Sequence, residues 1–76
     1  MENVLFENVR TNEYGVKFII RVIERKSIYG NSLKYDITEF IQHREDKEQF
    51  NRSIGFNYKT LAIAKRYLKK YCNLTF

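Results

Sequence analysis

Polar and apolar residues alternate most cleanly between Val16 and Lys26, where Val16, Phe18, Ile20 and Val22 are interleaved with Lys17, Ile19, Arg21, Ile23 and Arg25. A period of two marks a strand whose two faces meet different surroundings. Leu33 to Ile41 repeats the pattern, with Leu33, Tyr35, Ile37 and Ile41 on one face. Between the two runs, Gly30-Asn31 suits the central pair of a tight hairpin turn. A turn centred there sets Arg25 opposite Asp36 and Ile20 opposite Ile41. Val4 to Arg10 is a shorter strand pattern, closed by an Asn12-Glu13-Tyr14-Gly15 turn in which glycine supplies any positive φ. Phe50, Arg52, Ile54 and Phe56 alternate with Asn51, Ser53 and Gly55, predicting a fourth strand after a polar loop at residues 42–49. A helix across residues 38–53 is the alternative, but Arg44, Glu45 and Glu48 fall where its apolar stripe should continue.

The period changes after Asn57, which is a good N-cap for a helix from Tyr58 to Cys72. At about 100° per residue, Leu61, Ile63, Ala64, Tyr67, Leu68, Tyr71 and Cys72 share one arc. Lys59, Lys65, Arg66, Lys69 and Lys70 occupy the other, with Tyr58 and Ala62. The expected fold is α+β: a three- to four-stranded antiparallel sheet with one C-terminal amphipathic helix on one face, in the order β-β-β-β-α. The 76 residues contain no proline, no linker and no internal repeat, so one small domain is expected. A chain this short buries only about 60% of the surface its unfolded form exposes.

Charge changes the picture more than length does. The net charge is +5. Every acid lies at or before Glu48, whereas Arg52, Lys59, Lys65, Arg66, Lys69 and Lys70 follow with no acid among them. A one-signed field over part of a molecule favours anionic partners. One helix covers one face of a sheet, and the face bearing Val16, Phe18, Ile20, Val22, Leu33, Tyr35 and Ile37 has the stronger claim to it. The other face is then left with an apolar patch of Ile19, Ile23 and Phe40 among Lys17, Arg21 and Arg25. Three uses compete for that patch: a homodimer interface between two sheet faces or cover from the first strand or the charged loop, a platform for nucleic-acid bases, or docking on another protein.

Chemistry for catalysis is sparse. His43 is the only histidine and Cys72 the only cysteine, so no zinc spacing exists and no internal disulfide can form. There is no glycine-rich phosphate cradle and no nucleophile elbow. No enzyme activity, metal or cofactor is expected. Met1-Glu2-Asn3 lacks the basic start of a secretory signal, and Phe18-Ile19-Ile20 is far too short a run to span a membrane. A reducing, cytoplasmic setting without membrane contact is expected. Usage of Asn, Ile, Lys and Tyr is typical of AT-rich genomes, including phages and other mobile elements.

The segment Ser53-Ile54-Gly55-Phe56-Asn57, a strand running into an Asn-capped helix, resembles small single-strand-binding transcriptional coactivators of the positive-cofactor and Whirly type. A three-stranded sheet plus helix is also similar to the arm-type DNA-binding domains of some phage integrases. Both resemblances are architectural. The expected function is a non-enzymatic nucleic-acid-binding module with weak sequence preference. Its phosphate contacts would come from Lys17, Arg21, Arg25, Lys59, Lys65, Arg66, Lys69 and Lys70. The alternative is a small protein-interaction module, such as a mobile-element inhibitor of a host or defence protein, with Ile19, Ile23 and Phe40 as its anchor.

Overall fold

A computed structural model describes residues 2–76. Four strands, β1 (Glu2–Thr11), β2 (Val16–Lys26), β3 (Leu33–His43) and β4 (Gln49–Tyr58), precede one helix, α1 (Leu61–Cys72). The strands form one antiparallel sheet in the order β1-β2-β3-β4. The slab measures 42 × 25 × 16 Å, so it is one sheet and one helix deep.

The first turn forms as its residues dictate. Gly15 sits at φ 80°, and the Asn12 side-chain oxygen accepts from the backbone N–H groups of Tyr14 and Val16 at 2.9 and 3.0 Å. The second turn does not. Ser27 N–H donates to the Ser32 carbonyl at 2.9 Å, closing a wider loop in place of a two-residue turn. The register consequently moves by two residues: Arg25 is opposite Lys34, Ile23 opposite Asp36, and Phe18, not Ile20, opposite Ile41. A shift of two preserves the faces, because side chains alternate with that same period. Arg25 still reaches Asp36, now along the diagonal.

β4 departs further from expectation. Its ladder with β3 is irregular at three places. Phe50 lies opposite Phe40, whereas Arg52 lies opposite Glu39, so residues expected on one face are divided between two. β4 continues to Tyr58, and Asn57 takes a left-handed conformation at φ 61°. The helix therefore starts later than expected, and its N-cap is Thr60, whose side chain accepts from Ile63 N–H at 3.3 Å. Asn73, also left-handed, closes it by donating to the Lys69 carbonyl at 3.1 Å.

α1 lies over β3 and β4. Its Ala64 and Leu68 are fully buried against Ile20, Val22 and Ile37. Phe6, Tyr35, Ile54, Tyr58, Leu61, Tyr67, Cys72 and Leu74 complete the cluster. Phe76 returns to β1 and meets Phe6 edge-on, with centroids 5.2 Å apart. The Tyr58 ring stacks on Tyr67 at 4.9 Å, and Tyr67 on Tyr71 at 5.4 Å.

Gly55 makes room for that stack. A Cβ at Gly55 would overlap the Tyr58 ring, which is stacked on Tyr67. Gly55→Ala should cost about 1–3 kcal/mol, the usual range for forced overpacking. Thermal unfolding measures this, and adding Tyr58→Leu should recover part of the loss. A neutral G55A would show that the ring swings aside freely.

Candidate nucleic-acid interface

The eight cations expected to meet phosphate divide into two groups. Lys65, Arg66, Lys69 and Lys70 project from α1, and Lys59 stands just ahead of its N-cap; all five are exposed. No acid lies on α1, and none of the five enters an ion pair among the described residues. Two lean on aromatic rings: the Lys65 ammonium lies 4.5 Å from the Phe76 centroid and that of Lys70 lies 5.3 Å from Tyr71. Lys69 and Lys70 also sit at the negative end of the helix dipole.

Lys17, Arg21 and Arg25 lie on the uncovered face of the sheet, and both arginines are already engaged. Arg21 donates from Nε to Glu7 at 2.6 Å and from both terminal nitrogens to Glu48 at 2.7 Å. It also lies over the Phe40 ring, 5.0 Å from the centroid. The bond to Glu48 is the main reason its guanidinium is held charged above the ordinary range, and the same bond lowers the Glu48 carboxyl. Arg25 donates to Asp36 at 2.6 and 3.2 Å and to the Asn57 side-chain oxygen, and covers the Phe56 ring at 4.5 Å. The Asp36 bond raises its pKa. A phosphate would have to displace carboxylates from either arginine. Lys17 is exposed and has no ion pair among the described residues.

The apolar patch is larger than expected and less exposed at its centre. Ile19 is only 3% exposed, and Ile23 and Phe40 are half-buried. The exposed apolar residues near them are Val4, Val9, Phe50 and Phe56. These belong to β1 and β4, whose faces the short pattern of β1 and the irregular ladder of β4 concealed.

Neither Arg10 nor Arg52, the latter counted only in the basic run after Glu48, was expected at a site. They line a cleft of about 400 Å³ with Asn8, Phe18, Ile20, Glu39, Tyr71 and Cys72, where α1 leaves the sheet uncovered. Arg52 donates to the buried Glu39 at 3.0 Å. The Asn8 Oδ1 atom is buried there without a hydrogen-bond partner. Burial raises the Cys72 thiol, which makes it a poor nucleophile. The signal for Arg10 was its even spacing from Phe6. The hairpin ends bearing Tyr14, His43, Arg44, Glu45 and Asp46 border a second cavity, of about 630 Å³. No group of potential metal ligands forms among the described residues, and no helix is long and apolar enough to cross a membrane.

Compared with known protein families, characterised proteins and solved structures, the chain has no significant match.

Proposed function

We propose that the chain is a non-enzymatic module that binds nucleic-acid backbone on the outer face of α1, with weak sequence preference. The observation that carries this reading is the segregation of Lys59, Lys65, Arg66, Lys69 and Lys70 on one exposed surface without an acid on the helix. Ordinary solvated helix faces mix both signs, and one-signed faces attract polyanions. Arg10 and Arg52 extend the surface past the helix end towards Tyr71. Lysines address phosphates as point charges, and α1 sets no array of Asn, Gln and Arg among small residues to read base edges.

Fluorescence anisotropy with labelled single-stranded DNA, duplex DNA and RNA across a salt series tests this. Five phosphate contacts give a slope of log K against log salt near about −3.5 for a single strand and about −4.5 for a duplex. The double variant Lys65→Gln/Lys69→Gln should flatten that slope by about 1.4 to 1.8 units. Lys17→Gln should leave it unchanged, since Lys17 lies on the opposite face. An equal effect of both variants would move the contact to the sheet. A salt-independent affinity, or none at low salt, defeats the reading and favours a protein partner.

A further inference from the structure

The uncovered face of the sheet carries an apolar row that crosses every strand. Val9, Ile19, Phe40 and Phe50 stand opposite one another in register from β1 to β4. The next row is Glu7, Arg21, Thr38 and Ser53. Val4, paired with Ile23, adds apolar surface farther along, as does Phe56 beneath Arg25.

Charge argues against a polyanion on this surface and for a like partner. Glu2, Glu7 and Asp36 share the face with Lys17, Arg21, Arg25 and Lys34, and Glu48 reaches over it to Arg21. The two signs balance, and the arginines are satisfied within the chain. Two such faces meet without net repulsion, unlike two copies of the α1 face.

Size agrees. Four strands about 4.8 Å apart, ten or eleven residues long at about 3.3 Å each, make a face of about 650 Å² before surface roughness is counted. A standard interface buries about 800 Å² per partner. Aligned sheet-on-sheet packing is a common way to bury such a face.

We infer that two copies of the chain pack face to face through this surface, about a twofold axis running along the strands between β2 and β3. That axis sets Phe50 against Val9 of the second copy and Phe40 over its β2, where Ile19 is already buried within the chain, and symmetry repeats both placements. The two α1 helices then face outward on opposite sides. The inference does not depend on nucleic-acid binding, and the measurements of mass and cross-linking that decide it use none.

Sedimentation equilibrium over a wide concentration range should give twice the chain mass of 9.2 kDa. Phe50→Glu should raise the dissociation constant about 30-fold or more, as loss of a central anchor does. Phe50 is 65% exposed and lies on an edge strand, so the monomer should keep its circular dichroism. Val9→Lys at the other end of the row should act alike. With Cys72 replaced by alanine, mixing Phe50→Cys and Val9→Cys chains should give a disulfide-linked heterodimer in preference to either homodimer. A monomer at every concentration overturns the inference, as does a dimer that both charged variants leave intact. Cross-linking that gives only homodimers overturns the stated axis. A monomer that loses single-stranded DNA binding on Phe50→Glu would assign the face to bases instead.

Discussion

Asp36→Ala should cost about 3–5 kcal/mol, the range for removing one partner of a buried ion pair. Asp36 is 8% exposed, and its carboxylate holds three donors: Arg25 Nε, Arg25 Nη2 and the backbone N–H of Asn57 at 2.9 Å. The last fixes the left-handed turn that ends β4 and aims the chain towards α1. Alanine leaves the guanidinium half-buried without its counter-charge and strips the turn of its acceptor. A domain of this length has about 4–11 kcal/mol of stability in total, so the variant should lose a large share of it, enough for partial unfolding at room temperature if the starting stability is at the lower end. For a small domain each kcal/mol lowers the melting temperature by about 4–8 °C. Asp36→Asn keeps one acceptor and most of the volume and should lose less. Urea titrations of both variants give the comparison. A D36A loss below about 0.5 kcal/mol, the level of an ordinary surface substitution, would mean that Arg25 and Asn57 find water as readily as they found the carboxylate.

That network shows where reading from sequence stops. Period-two alternation in β2 and β3 assigns their faces correctly, and a two-residue error in register leaves those faces unchanged because the error is even. The arc of α1 likewise places Ala64 and Leu68 in the core. Partnership is another matter. Arg21 meets Glu7 and Glu48 across separations of 14 and 27 residues, and Arg25 meets Asp36 across 11. The Arg25–Asp36 pair follows from the β2–β3 hairpin and was expected, but the meetings of Arg21 with Glu7 and Glu48 depend on strand order and on the loop before β4, neither of which has a periodic signature. Cations on the sheet and on the helix therefore look equivalent along the chain, although Arg21 and Arg25 are held by carboxylates and the helix cations enter no ion pair among the described residues. The N-cap illustrates the same limit: Asn57 and Thr60 both have suitable side chains, and Asn57 is drawn off by Asp36.

The two sides of the molecule consequently suit different partners. The helix side is one-signed, exposed and polar, which suits a diffuse electrostatic contact whose strength varies with salt. The sheet side is balanced in charge and crossed by an apolar row, which suits a fitted contact that excludes water. A face-to-face pair would present two basic helices on opposite sides, and nucleic acid held by both would be bound more tightly than by either alone if it can span them.

Leu68→Ala should cost about 3–4 kcal/mol and release α1 from the sheet, because few side chains hold it there. Val22, Ile37 and Leu68 are the largest fully buried side chains among the described residues, and Leu68 alone of the three belongs to the helix. Large-to-small core substitutions cost about 2–5 kcal/mol, more where the surroundings cannot close the cavity. Closure is restricted here: the sheet lies on one side, and Tyr58 and Tyr67 are held in a stack beside it. Leu68→Met nearly conserves volume and should cost less than about 1.5 kcal/mol. Amide exchange should separate the outcomes, with α1 losing protection in L68A before the paired centre of β2 and β3 does. It should also link fold to function, since an undocked helix keeps its cations but loses their fixed spacing, weakening nucleic-acid binding more than it flattens the salt slope. If L68A lost less than about 1 kcal/mol, below the range for core truncation, the tyrosine stack and the capped ends would be what hold the helix in place.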